Sequence, residues 1–155
     1  RNETGLSKPS AIVGPVKIRC GTLVDELRNL SHTYRSSGKL ELKSNDARNY
    51  KEDCHRLRGV PSSWIAYKVP GRITAARVYA FGEQGEPALE FLAGNDGGKG
   101  DMLPARTQDF FAGKEMYNFH WPRLYTLEAV TGSGSTLTIR FQKETQISRV
   151  EIEYQ

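Results

Sequence analysis

The strongest constraint on the fold of this chain is that short apolar or alternating runs recur along it, separated by turns rich in glycine. In residues 40–43 leucine alternates with charged residues, and in the closing run Val150, Ile152 and Tyr154 share one face. This two-residue period is that of a strand with one buried face. Only residues 25–37 have apolar spacings that permit a short helical turn, which is too short to connect parallel strands. The pattern therefore predicts an all-β fold, an antiparallel β-sandwich.

The strands are predicted to follow an irregular lead-in over residues 1–15. They span residues 16–24, 40–43, 64–69, 73–81, 88–93, 103–108, 124–129, 136–141 and 147–154. A polar, charge-rich loop is predicted over residues 44–59. The full sequence has 155 residues, enough to enclose a core, and no internal repeat divides it. We therefore expect a single sandwich domain over residues 16–155.

The basic residues are concentrated in the first third of the chain. The net formal charge is +4, but residues 1–60 carry 12 basic and 7 acidic side chains, whereas residues 61–155 carry 10 and 11. A basic surface attracts anionic partners, although a solvated face with no partner is the alternative. The basic side chains of the predicted loop that would read an acidic ligand are Arg48, Lys51, Arg56 and Arg58. Arg56 has a second possible role, an internal ion pair with Asp53.

The two cysteines, Cys20 and Cys54, leave two alternatives open. They are the right number for one disulfide, which would fit an oxidising compartment. Two buried thiols are the other possibility, because spacing alone does not bring two segments together.

Catalysis, nucleotide binding and membrane insertion are all disfavoured. The histidines His32, His55 and His120 lie far apart in the chain, and no serine or cysteine lies in a nucleophile motif. The glycine-rich residues 94–100 follow a predicted strand but precede no helix, so they indicate a hairpin loop. No apolar run approaches the roughly 18 residues of a membrane helix. Aromatic and basic residues do not interleave, which disfavours nucleic acid.

Residues 110–123 form the segment with the greatest promise for sugar binding. They contain five aromatic rings together with basic and imidazole groups, in a region with glycine and proline rather than alternation. Aromatic rings stack on the C–H face of a sugar at low entropic cost. The ligand-binding candidates of this segment are Tyr117, His120, Trp121 and Arg123. The alternative is that the rings close the end of the sandwich.

Four stretches of the sequence resemble the galactose-binding-domain-like jelly rolls, which include discoidin domains and many carbohydrate-binding modules. The stretches are residues 24–37, residues 51–58, residues 64–68 with 90–97, and the closing strands 137–141 and 147–154. The resemblance implies a jelly-roll sandwich appended to a secreted bacterial glycoside hydrolase or polysaccharide lyase. It also implies a structural calcium, for which the candidate ligands are Asp46, Glu52, Asp53 and Glu151.

Together these features predict a non-catalytic module that binds a polysaccharide and holds a parent enzyme near its substrate. The charge distribution favours an anionic, uronate-bearing polymer. We expect a monomeric, extracellular bacterial domain joined to a catalytic domain, with no cofactor other than the possible calcium. The alternative is a structural or protein-contacting sandwich with no sugar ligand.

Overall fold

The computed structural model describes residues 20–45, 50, 54–93, 100–109, 120–128 and 134–155. The strands within these residues are β1 (Gly21–Asp25), β2 (Arg35–Ser36), β3 (Leu40–Lys43), β4 (Arg56–Gly59), β5 (Trp64–Lys68), β6 (Ile73–Gly82), β7 (Leu89–Ala93), β8 (Asp101–Leu103), β9 (Arg106–Asp109), β10 (Trp121–Leu127), β11 (Thr136–Phe141) and β12 (Thr145–Tyr154). No helix long and apolar enough to cross a membrane occurs in these ranges.

The strands form two antiparallel sheets. Sheet 1 has the order β9-β10-β6-β12-β4-β3, with β1 also paired to β12, and sheet 2 has the order β2-β5-β11-β7-β8. The prediction of an antiparallel β-sandwich is confirmed. All strand pairs are antiparallel, so the fold needs no crossover helices, although most neighbours in the sheets are not consecutive in the chain.

The core lies between the two sheets. Val78 and Val150 of sheet 1 and Ile65 and Ile139 of sheet 2 are completely buried. Each contributes roughly 1.5–3 kcal/mol by leaving water. Because side chains alternate along a strand, Tyr79 faces the outside of sheet 1 between the buried neighbours Val78 and Ala80.

Strand β12 organises sheet 1 and contains an irregularity at its middle. On one side it pairs with β6 along its length, but the register shifts between Ile147 and Arg149, so Ser148 is an extra residue. On the other side, residues 145–147 pair with β4 and residues 150–154 pair with β1. Residues 148 and 149 therefore lie where one neighbouring strand ends and another begins.

The helical turn permitted over residues 25–37 does not form, so that expectation was wrong. The carboxylate of Asp25 accepts a hydrogen bond from the Leu27 N–H at 2.9 Å, and the Asn29 side chain accepts one from the Ser31 N–H at 2.9 Å. Such local side-chain bonds compete with helical ones. Leu27 also has a φ of 58°, in the left-handed region.

The strand predicted over residues 103–108 is two strands in different sheets. β8 lies at the edge of sheet 2 and β9 at the edge of sheet 1, and Pro104 falls between them. Proline lacks an N–H for the ladder, so a continuous strand there is disfavoured. Strand β4 is a second difference, because it lies inside the predicted polar loop.

The disulfide considered for Cys20 and Cys54 is not formed. Both residues are thiols at exposed positions, so the alternative of two buried thiols is wrong as well. Exposure agrees with their positions just before β1 and β4, outside the core.

Candidate functional site

Arg56 takes the internal role rather than reading a ligand. Its side chain is completely buried, its Nε donates to Gln146 Oε1 at 2.8 Å, and its Nη2 donates to the Asn45 carbonyl. The guanidinium carbon lies 3.9 Å from the centroid of the Tyr50 ring. The internal partner predicted from sequence, Asp53, lies outside the described residues. A guanidinium held in this way presents no face to a polymer.

His120 and Arg56 come from the two segments that the sequence selected, and the fold brings both against Tyr50. The His120 ring stacks on Tyr50 at 4.5 Å between centroids with a 19° interplanar angle, and Phe81 meets Tyr50 edge-on at 5.2 Å. Gln146 Nε2 also donates to the Tyr50 hydroxyl at 2.9 Å. Tyr50 is buried, so this cluster is largely a packing unit against the interior strands β6, β12 and β4 of sheet 1.

Arg58 and Arg123 are also matched to acidic groups within the chain. Arg58 Nε lies 2.8 Å from Glu83 Oε2, and Arg123 Nε lies 2.6 Å from Asp109 Oδ1. The hydrogen bond from Arg123 lowers the pKa of the Asp109 carboxyl. These pairings leave little charge for an acidic ligand.

Trp121, the remaining described candidate of that segment, is the first residue of β10 and is partly buried. It lies opposite Gly82 of β6. The ligand candidates Arg48, Lys51 and Tyr117 lie outside the described residues and remain predictions.

The calcium prediction rests on residues of which only Glu151 is described. Its two carboxylate oxygens lie 2.6 Å from Arg77 Nε and 2.6 Å from Arg149 Nε. Burial alone would raise the pKa of Glu151, but hydrogen bonds from these two arginines hold it below its ordinary value. Because the cations Arg77 and Arg149 already contact both carboxylate oxygens, Glu151 does not fit as a ligand of Ca²⁺. Asp46, Glu52 and Asp53 lie outside the described residues, and the described part holds no cluster of three metal-ligating side chains.

The main concavity of functional interest lies on the outer face of sheet 1, and we call it the sheet-face groove. It has a volume of about 500 Å³ and is open to solvent. Its lining residues are Glu26, Arg28, Cys54, His55, Tyr79, Ser148 and Arg149.

The groove follows from the topology of sheet 1. It opens where β12 changes its neighbour from β4 to β1, and residues before β4 and after β1 form its walls. Tyr79 and Ser148 belong to the two strands that continue beneath the opening. Strands provide a rigid base for a binding site, more precise than loops alone.

Ser148 is the most informative residue of the groove. Its side chain is 6% exposed, and its hydroxyl is buried with no hydrogen-bond partner in the described part of the chain. Leaving such a group unsatisfied costs about 1–3 kcal/mol. A β-bulge places it at the groove, and bulges often re-aim side chains beside functional sites. Because this oxygen is covered in the structure, a ligand hydroxyl in the groove would reach it once the Ser148 side chain rotates about χ1 toward the opening.

The charges of the groove are partly balanced. Arg149 Nη1 lies 2.8 Å from Glu26 Oε2, and these contacts with Glu151 and Glu26 raise the pKa of Arg149. Arg28 is 68% exposed and its Nε lies 4.0 Å from Glu26, a loose contact. Arg28 is therefore the cation of the groove most available to an acidic group.

Tyr79, Ser148 and Arg28 were not predicted from the sequence, where aromatic rings in loops were the favoured candidates. Tyr79 alternates with buried residues and resembles any outward strand residue. The bulge at Ser148 leaves one weak mark in the sequence, since the apolar Ile147 is out of phase with Val150 and Ile152.

Comparisons with known proteins identify the fold. The structure of CsCBM6-3 from Clostridium stercorarium in complex with cellobiose matches with a TM-score of 0.53 and 12% identity, covering 87% of this chain and 94% of that one. Another family 6 carbohydrate-binding module matches with a TM-score of 0.54 and 9% identity, covering 86% and 94%. No protein-family model and no curated protein matches the sequence. The chain thus has the β-sandwich fold of these modules.

Proposed function

We propose that this domain binds carbohydrate without catalysing a reaction, and that the sheet-face groove is its binding site. The observation that carries the proposal is the buried, unpartnered hydroxyl of Ser148 at an open concavity lined by Tyr79. Sugars present hydroxyl groups that both donate and accept, and C–H faces that pack on aromatic rings. The likeness in fold to two carbohydrate-binding modules supports the same function.

The polymer is acidic in this proposal, and the domain is secreted with a polysaccharide-degrading enzyme that it holds near its substrate. The uneven charge of the sequence and the loosely paired Arg28 support an anionic ligand. Arginine presents a planar set of donors that matches a carboxylate or sulfate. A linked binding module raises the effective concentration of the enzyme at the polymer.

Ser148→Ala tests the groove, because the two effects expected of it have opposite signs. Removing an unsatisfied buried hydroxyl should leave the domain equally stable or up to about 1 kcal/mol more stable. The same change should weaken polysaccharide binding roughly 5- to 30-fold, the loss of one hydrogen bond of about 1–2 kcal/mol. Urea unfolding measures the stability, and isothermal titration calorimetry against acidic and neutral polysaccharides measures the binding.

Thr138→Val is the matched control. Thr138 lies in β11, and its hydroxyl is also buried with no partner among the described residues. This variant should gain stability in the same way and bind polysaccharide as the wild type does. Equal binding by wild type and Ser148→Ala would exclude the groove as the site. No binding to any polysaccharide by the folded wild type would leave the structural accessory role.

A further inference from the structure

A second concave surface lies at the edge of sheet 2, around an exposed tyrosine. The Tyr34 side chain is one of the large apolar groups left exposed by the fold, at 42%. Arg35 and Lys68 flank it, with the guanidinium carbon 5.2 Å and the ammonium nitrogen 5.1 Å from the ring centroid. The depression has a volume of about 440 Å³. We call these three residues the tyrosine platform.

The two cations of the tyrosine platform have no acidic partner. Neither Arg35 nor Lys68 makes an ion pair with a carboxylate in the described part of the chain, whereas Arg77, Arg123 and Arg140 each pair with one. Most of the other described arginines are paired with carboxylates, so the positive charge beside Tyr34 is unusual in being uncompensated. A cation beside an aromatic ring attracts an acidic group while the ring packs on an apolar one.

The backbone holds the tyrosine platform in place. The Tyr34 N–H donates to the Ala66 carbonyl at 2.7 Å, and β2 pairs with β5, which carries Lys68. The Val69 N–H donates to the Ser135 carbonyl at 2.8 Å, which fixes the end of β5. The backbone segments that carry the ring and both cations are therefore joined at one corner of the sandwich, which helps to preorganise a site.

A shallow connection joins the tyrosine platform to the sheet-face groove. A depression of about 250 Å³ between them shares Glu26 and Arg28 with the groove and shares His32 with the concavity at Tyr34. The three depressions thus follow one another around the side of the sandwich. A linear polymer lying along them would reach both sites.

We propose that the tyrosine platform is a second binding site, and that it takes one acidic sugar unit of the polysaccharide chain held in the groove. This inference rests on the proposed function. The uronate carboxylate is bound by Arg35 and Lys68, which lie over the Tyr34 ring, and the exposed edge of that ring contacts the pyranose. Two linked sites on one chain increase the affinity for a long polymer far beyond that of either site alone.

Titration with long polyuronates tests this inference. The probes are polygalacturonate, alginate and glucuronoxylan, and the carboxyl-reduced form of whichever polymer binds is the neutral control. Tyr34→Ala and Lys68→Ala should each weaken binding of the acidic polymer by roughly tenfold or more, the loss of one of two linked sites. Lys68→Ala should make no difference to the carboxyl-reduced polymer. Lys143→Ala, which removes an exposed cation from another part of the surface, is the matched control and should bind normally.

A short acidic oligosaccharide from the same polymer separates failure of this inference from failure of the proposed function. Wild type should bind it at two sites, with Tyr34→Ala losing one and Ser148→Ala weakening the other. A single site that is weakened by Ser148→Ala and unchanged in Tyr34→Ala would overturn the platform while the groove stands. One site that is abolished by Tyr34→Ala alone would support the platform and reject the groove. No binding of any probe would reject both.

Discussion

Arg56 shows how one residue can hold two candidate binding segments together. Its buried guanidinium bonds to Gln146 and lies over the Tyr50 ring, which in turn stacks on His120. Burying a charge is tolerated only where its donors are satisfied. The role is therefore structural, and the ligand must be read by other residues.

Arg56→Ala should lower the free energy of unfolding by about 3–5 kcal/mol, because it leaves the buried partners of the guanidinium unsatisfied and opens a cavity. Arg72→Ala is the control, since that side chain is exposed, and it should change the free energy by less than about 0.5 kcal/mol. Urea unfolding of both variants measures the difference. A loss below about 1 kcal/mol for Arg56→Ala would show that the cluster does not stabilise the fold.

The sequence was sufficient to give Arg56 an internal role as one of two alternatives, but it could not identify Gln146 as the partner. The two residues are 90 positions apart, and a glutamine next to a strand start normally faces solvent. Only the pairing of β12 with β4 brings them together. Ser148 was hidden for a similar reason, because a bulge depends on how three strands pair.

At the scale of elements, the edge hairpin β9–β10 is held by a charge pair that makes it sensitive to acid. Asp109 lies directly opposite Arg123, and the guanidinium donates to the carboxylate at 2.6 Å. The pKa of Asp109 is lowered in the folded state by this bond. Its stabilising effect is therefore complete above the unfolded pKa, near 3.9, and is lost as the pH falls through the folded value.

Asp109→Asn should be less stable than the wild type at pH 7, and the difference should shrink as the pH falls below about 4, where the wild-type carboxyl also becomes neutral. Asp101→Asn alters an exposed carboxyl with no ion pair among the described residues. Its stability should equal that of the wild type both at pH 7 and below pH 4. Urea midpoints measured at neutral and strongly acidic pH provide the comparison. A stability difference that does not depend on pH would contradict the role given to the ion pair.

Strands with clear alternation were predictable, and those shaped by their neighbours were not. Residues 136–141 match β11 at both ends, because Leu137, Ile139 and Phe141 alternate with other residues and a glycine-rich turn precedes them. Strand β4 contains a buried arginine and a glycine, so its sequence indicates a polar loop. A Cβ at position 59 would lie 2.5 Å from the Phe141 ring, so glycine is required there. This restriction arises only once the two sheets pack.

At the scale of the whole molecule, the fold determines which basic residues of the first third of the sequence can contact a ligand. Arg56 and Arg58 are committed to internal partners, so they do not form a general basic face. Among the described residues, the cations beside the two concave surfaces are instead Arg28 at the groove and Arg35 and Lys68 at the platform. An anionic polymer would thus be read at discrete points along the side of the sandwich.

Whether carbohydrate binds in the sheet-face groove can be tested with the two exposed cysteines. Cys54 lines the groove and Cys20 does not, so Cys20 is an internal control in the same molecule. The measurement is the rate of maleimide modification of each thiol, with and without a polysaccharide that the protein binds. At a ligand concentration of about ten times Kd, Cys54 should react with maleimide about tenfold more slowly, while Cys20 should react at its original rate. Unchanged modification of Cys54 in the saturated complex would contradict binding in the groove.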